Sequence, residues 1–192
     1  MIIEKIRSII EAGEGLRVEF KTCKNAVPAN LYDTVCAFLN RHGGEILLGV
    51  NNKGEITGID GKAVDKIQTD FVTTINNPAK ISPSVYLSIE KVKIDGKLVL
   101  YVYIPESSQV HKCNGRIFDR NSDGDFDITD HHQLVTSLYV NKQAFYTENR
   151  VYPYCEIADL NSELLGRVKR QVLLLRNNHP WQYMDDFEML KS

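Results

Sequence analysis

Hydrophobic residues recur along this chain with two alternating periods, one helical and one extended. Ile2, Ile3, Ile6, Ile9 and Ile10 mark a first helix, and Gly13 stops it. From Glu14 to Lys21, Leu16, Val18 and Phe20 alternate with Arg17, Glu19 and Lys21, which predicts a half-buried strand. Leu31, Val35, Phe38 and Leu39 share one stripe of a helix, with Pro28 suited to its first turn and Gly43-Gly44 to its end. Ile46, Leu47, Leu48 and Val50 form a near-continuous apolar run, as expected of a central strand covered on both faces.

Asn51 to Gly54 predicts a tight turn and Glu55 to Ile59 a return strand, so that the two strands form a hairpin. A second helix follows Asp60, its N-cap, with Val64, Ile67, Phe71 and Ile75 buried, and Asn76-Asn77-Pro78 breaks it. Val85–Ile94 and Lys97–Ile104 are strands joined by Asp95-Gly96. The apolar positions of the first change parity after Ile89, which predicts a bulge near Glu90 or Lys91. The second puts Leu98, Leu100, Val102 and Ile104 on one face. Val99, Tyr101 and Tyr103 lie on the other, which is therefore covered or an interface, for example with a second copy in a homodimer. Gly115–Asp119 reads as a short strand, followed by an acidic loop and a helix with Leu134, Leu138 and Val140.

Residues 146–158 read as a connecting arm, and Leu160–Arg176 as a helix burying Leu164, Val168, Val172 and Leu175. Trp181, Met184, Phe187 and Leu190 begin another stripe without a later partner, which predicts that the chain is the start of something longer. The expected organisation is a domain over 1–143 and an arm with a helical extension over 144–192.

Composition narrows the function little. The 192 residues are 43% hydrophobic and 25% charged, with a net charge of −2, so any basic surface must be local. Cys23, Cys36, Cys113 and Cys155 lie far apart without a C-x-x-C pair, which fits a reduced, cytoplasmic protein and disfavours zinc. No apolar run reaches the roughly 20 residues that cross a bilayer, so no membrane partner is expected. Phosphate-loop, nucleophile-elbow and Cys–His patterns are absent from the sequence.

Three constellations carry candidate chemistry. Glu14 and Glu19 could hold a divalent cation such as Mg²⁺. In a straight strand they would stand about 17 Å apart on opposite faces, so convergence requires a bend at Gly15. Pairing of Glu19 with Arg17 or Lys21 is the preferred assignment. Arg17, Lys21, Lys24 and Arg41 form a basic set that Arg116 and Arg120 could extend, suited to phosphates or simply to solvent. Asp119–Asp130 spaces Asp119, Asn121, Asp123, Asp125 and Asp127, with Asp130 closing, as the ligands of a Ca²⁺ loop. An acidic turn with local side-chain caps is the preferred alternative there. Beyond these two candidate cations no cofactor is expected.

The order VEFK, CAFLN, GGEILLGV and GEITGI resembles the Alba-like Schlafen domain, over roughly residues 10–140. The resemblance implies an α+β fold, with an Alba/Schlafen-like mixed β-sheet, packed helices and a helical extension following. It implies nucleic-acid binding, as in bacterial transcriptional regulators and helicase-related proteins that continue into further domains. Schlafen nucleases have two glutamates at the spacing of Glu14 and Glu19, and an aspartate where this chain has Asn52, beside Asn51. The third carboxylate is thus missing. The resemblance also places an R-turn-T segment at Arg120 and Thr129, and it favours phosphate contact for the basic set. A DNA-binding module, with RNA the other candidate ligand, is therefore preferred. A metal-dependent endoribonuclease using Glu14, Glu19 and Asn52, or a dimerisation domain, are the alternatives.

Overall fold

The computed structural model describes residues 2–143, 162–176, 179–185 and 188–189. The chain divides into two compact units, Met1–Phe145 and Tyr146–Ser192.

In the first unit, α1 (Ile2–Ala12) leads through a turn into β1 (Val18–Lys21), α2 (Leu31–Asn40) and β2 (Gly44–Leu48). Next come α3 (Val64–Ile75), the short β3 (Ile81–Ser82), and the hairpin β4 (Ile89–Ile94) and β5 (Lys97–Ile104). The short β6 (Lys112–Cys113), a second hairpin β7 (Phe118–Asn121) and β8 (Gly124–Asp127), and α4 (His132–Gln143) complete it. The main sheet has the order β1-β2-β5-β4, with β1 parallel to β2 and the other pairs antiparallel. The strands β3 and β6 pair with one another, as do β7 and β8.

The apolar run of β2 sits in the middle of this sheet because both of its faces are covered. Ile46 and Leu48 pack with Leu100, Val102 and Ile104 against α2 and α3. Leu47 packs on the opposite side with Phe20, Val92, Ile94, Val99 and Tyr101, under Ile6 and Ile9 of α1. The Val99–Tyr101 face expected to be covered or shared is therefore covered by α1. Tyr101 is 4% exposed and Tyr103, nearer the strand end, 56%. A smaller core of Val110, Ile117, Ile128 and Leu138 joins the second hairpin to α4.

The α2–β2 corner depends on two glycines. At Gly43 the backbone takes φ +69, and its N–H returns to the Phe38 carbonyl at 2.9 Å. A Cβ there would lie 2.5 Å from the Ile104 carbonyl oxygen, and one at Gly44 2.7 Å from the Phe38 ring. Only glycine lets the chain turn this close to β5.

Several expectations are corrected. The strand predicted from Glu14 begins only at Val18, and Leu16 is 51% exposed, because the chain first folds back on itself. α2 starts at Leu31, after a turn in which the Leu31 N–H bonds the Pro28 carbonyl. The register of β4 and β5 is continuous, without a bulge. The parity change arises because Ile89 packs on the α2–α3 side while Val92 and Ile94 face α1. The return strand after Val50 is reduced to single bridges, Val50 with Ile56 and Ile59 with Leu98. In α4, Leu138 is buried but Leu134 and Val140 are exposed.

The second unit contains α5 (Ser162–Leu175) and a 3₁₀ turn at Pro180–Tyr183. Leu164, Val168 and Leu175, expected to be buried, are exposed among the described residues. The predicted arm, together with Cys155, Phe187 and Leu190, lies outside the described residues. No helix among the described residues is long and apolar enough to cross a membrane.

Candidate functional site

The site begins at the turn before β1. The Gly15 N–H bonds the Val18 carbonyl at 3.0 Å, so the chain doubles back at the position where a bend was required. This brings the Glu14 carboxylate to the free edge of β1, where its Oε1 accepts the Phe20 N–H at 2.9 Å. β1 is an edge strand, and Glu14 thus satisfies a backbone donor that no neighbouring strand can reach.

Arg120 of β7 closes the same edge. Its Nη2 donates to the Gly15 carbonyl at 2.9 Å and to the Glu19 carboxylate at 2.6 Å, and Nε donates to Gly15 at 3.2 Å. Nη1 donates to Asp125 at 2.5 Å, and the guanidinium lies 4.7 Å from the centre of the Phe38 ring. The network runs on in both directions. Lys21 donates to Glu19 at 2.6 Å, and the Thr34 hydroxyl donates to Asp125 at 2.5 Å. Arg120 is 3% exposed. Burial opposes its charge, but the bond to Glu19 and the attraction and bond of Asp125 outweigh it, holding the pKa above the ordinary arginine value. A buried charge survives only with such complete pairing. Among the described residues every buried side-chain nitrogen and oxygen has a hydrogen-bond partner.

The sequence-predicted residues therefore separate into two groups. Glu19, Lys21, Arg120 and Asp125 are enclosed and paired with one another. Arg120, expected at phosphates, has no exposed donor to offer, and Lys21 is largely spent on Glu19. Arg17 and Lys24 are exposed, and their side chains form no hydrogen bond or ion pair among the described residues. Arg41 and Arg116 are 43% and 68% exposed in their side chains, with contacts of 3.5 Å to Asp119 and Asp127 respectively.

The Glu14–Glu19–Asn52 triad is not assembled. Glu19 points to the side of the sheet opposite Phe20 and α1, whereas the Asn51–Gly54 turn carrying Asn52 borders α1, with Gly54 beside Ile10. Asn52 is exposed and makes no hydrogen bond among the described residues.

Nor do the Ca²⁺-loop positions converge. Residues 118–127 form a hairpin with Asp119 opposite Phe126, Arg120 opposite Asp125 and Asn121 opposite Gly124. Asp119 accepts the Arg120 N–H, Asn121 accepts the Asp123 N–H, and Asp127 accepts both the N–H and the hydroxyl of Thr129. Asp130 lies in the turn beyond β8. Chiefly through that Thr129 hydroxyl bond, Asp127 is held below the usual aspartate pKa. Among the described residues no three His, Cys, Asp or Glu side chains gather as a metal site. Thr129 also accepts the Ile117 N–H at 2.9 Å, so the R-turn-T segment is the frame of the hairpin.

Sequence reasoning missed Thr34 and the pairing of Arg120 with Asp125. The Asp123-Gly124 pair was a misleading signal: a turn like Asp95-Gly96 there would set position 120 against 127, whereas the loop is Ser122-Asp123 and Arg120 faces Asp125.

A mixed sheet with helices on both faces, its first strand sealed by a buried arginine from a separate hairpin, defines a domain of the Alba/Schlafen-like type. The chain belongs to the Schlafen AlbA_2 family, whose model matches residues 14–129. No curated protein matches. Among solved structures, the DIP2311 protein from Corynebacterium diphtheriae is similar over 98% of this chain and 40% of its own, with 18% identity and a TM-score of 0.54. The N-terminal domain of an ATP-dependent DNA helicase RecG-related protein from Nitrosomonas europaea aligns with 53% of this chain and 72% of its own, at 25% identity and a TM-score of 0.41.

Proposed function

We propose that the first unit binds nucleic acid, with DNA the preferred form, as the binding module of a bacterial transcriptional regulator acting in the cytoplasm, and that it does not cleave its ligand. The observation that supports this is the layering of charge around Arg120. The carboxylates Glu19, Asp119 and Asp125 are largely covered, at 14%, 8% and 15% side-chain exposure. Arg17 and Arg41 stand outside them. Arg120 ties the Arg17 turn to the hairpin whose Asp119 touches Arg41, so both exposed guanidiniums ride on one rigid framework. Cations presented above buried anions offer phosphate contacts despite a net charge of −2. Membership of the AlbA_2 family supports the same reading.

Cleavage is disfavoured on the geometry. A hydrolytic metal needs carboxylates free to ligate it. Here Glu19 is held by Lys21 and Arg120, Glu14 by a backbone amide, and Asn52 lies elsewhere. One feature favours the nuclease alternative, the return of the chain at Gly15 that carries Glu14 toward Glu19.

Both parts are testable on the full chain. The charge reversal Arg17→Glu with Arg41→Glu should weaken binding to unrelated DNA duplexes alike, because phosphate contacts carry no sequence information. Unchanged affinity rejects the interface. Structured RNA should remain intact with Mg²⁺ or Mn²⁺. Degradation that Glu19→Gln abolishes would establish the nuclease instead.

A further inference from the structure

A second cationic region lies at the other end of β1, and the proposed function does not use it as a site. A cleft of about 460 Å³ opens between the end of β1, the loop before α3 and the β4–β5 turn. Lys24 and Lys93 reach it from two separate segments, and Asp60 is its one acidic residue. The ammonium groups of Lys24 and Lys93 form no ion pair or hydrogen bond among the described residues. Lys97 lines the cleft with its stem beside Gly58, and its ammonium donates to the Ile56 carbonyl at 2.6 Å, outside the cleft. Asp60 spends one oxygen on the Lys62 N–H at 2.8 Å.

Gly58, Gly61 and Gly96 contribute backbone to its walls, beside Thr57, Ile59 and Leu98. At Gly58 and Gly96 φ is +79 and +80, and a Cβ on Gly58 would come within 3.0 Å of the Lys97 Cβ. The backbone amides are otherwise well accounted for. Thr57 and Gly58 bond Gly49, Ile59 bonds Leu98, and Asp60 bonds Lys24. The N–H groups of Gly61 and Gly96 have no acceptor among the described residues. Two unpaired cations and two unused amide donors together suit a compact oxyanion.

We propose that this cleft is a phosphate-binding site, which takes the phosphate group of a nucleic-acid backbone or of a free nucleotide between Lys24 and Lys93. Phosphate carries up to two negative charges and several acceptor oxygens, and so can use both ammonium groups and the amides together. A carboxylate ligand, with two oxygens, would leave part of this donor set unused. The site stands apart from the interface around Arg17, because inorganic phosphate probes it without any nucleic acid.

The test is titration of the ¹⁵N-labelled full chain with inorganic phosphate, following the amide signals of Gly58, Gly61 and Gly96. These should shift saturably. Lys93→Glu should weaken the effect by at least about tenfold, equivalent to roughly 1.4 kcal/mol. Lys93→Gln should do so less, and Lys66→Glu, the same charge change on the exposed side of α3, should not. Shifts that fail to appear or to saturate, that persist in Lys93→Glu, or that acetate reproduces at equal concentration overturn the proposal. Two further arms assign the source. A DNA duplex that moves the same glycines, with a salt slope flattened by about one unit in Lys93→Glu, identifies the backbone. Adenosine 5′-monophosphate moving them when DNA does not identifies a nucleotide.

Discussion

Arg120 and Lys93 carry the same charge in opposite circumstances. Arg120 is enclosed between Glu19 and Asp125, donates to the Gly15 carbonyl and lies over the Phe38 ring. Lys93 lines an open cleft with two other lysines, and its ammonium group meets no acceptor among the described residues. The first charge was desolvated when the chain folded, and its interactions are committed to joining β1, α2 and the second hairpin. The second remains hydrated and can exchange water for a ligand. Basic residues near one another in sequence or space are thus not interchangeable evidence for binding. What separates them is whether the fold has already supplied an anion.

The largest effect that could break this contrast is on stability. Arg120→Ala would leave Asp125 covered without its cation, Glu19 with Lys21 alone, and the Gly15 carbonyl without its charged donor. The expected loss is on the order of 3–5 kcal/mol in urea unfolding. A loss below about 1 kcal/mol, within the range of a surface ion pair, would show that Arg120 is not the keystone of this edge.

A smaller effect sharpens the contrast within the sequence-predicted basic set. Lys21→Met should cost roughly 1.5–3 kcal/mol, the usual value of a hydrogen bond to a charged group, because Glu19 keeps Arg120 as a partner. The same substitution should leave the salt dependence of DNA binding unchanged. A flatter slope would return Lys21 to the phosphate contacts.

The smallest effect separates both regions from an acid-sensitive group elsewhere. Neither arginine nor lysine changes charge between pH 5 and 8. His111 does, and burial lowers its pKa from the ordinary 6.5. Its Nδ1 bonds the Pro83 carbonyl and its Nε2 the Ser107 hydroxyl, which suits the neutral ring. With the folded pKa below the unfolded one, the unfolded chain binds more protons in the interval between them. Stability from this group is complete above about pH 6.5 and is lost as the pH falls from there toward the lower folded value. Urea midpoints at pH 7.5 and 5.5 should differ more in the wild type than in His111→Gln. An equal difference in both would place the sensitivity elsewhere.

Much of this architecture was legible in the pattern of apolar residues. The central strand and the buried stripe Val64, Ile67, Phe71 and Ile75 follow from period, because burial repeats with the geometry of the element, and the β4–β5 hairpin from its Asp95-Gly96 turn. The order of motifs led to the family. The site was legible only in part, because its residues meet through space. Glu19 and Arg120 lie 101 positions apart, and no local pattern tells a covered arginine from a solvated one. The carboxylates of 119–127 had the spacing of a Ca²⁺ loop, yet the hairpin register sets Arg120 opposite Asp125 and so puts Asp119 and Asn121 on one face and Asp125 and Asp127 on the other. The lysine cleft was illegible for a related reason. Lys24 and Lys93 meet at one cleft only after the end of β1 and the β4–β5 hairpin are brought together at the end of the sheet.

The central claim is that covered charges hold this domain together while exposed ones are left for phosphates. It is tested most directly by measuring thermal unfolding and the salt dependence of DNA affinity on the same preparation of Arg17→Ala with Arg41→Ala. Stability should stay within about 0.5–1 kcal/mol of the wild type, as for surface positions and an exposed ion pair. The log–log salt slope should flatten by about two units, close to one for each phosphate contact removed. Early unfolding with an unchanged slope would contradict the account, since it would make these arginines structural and leave the DNA interface unlocated.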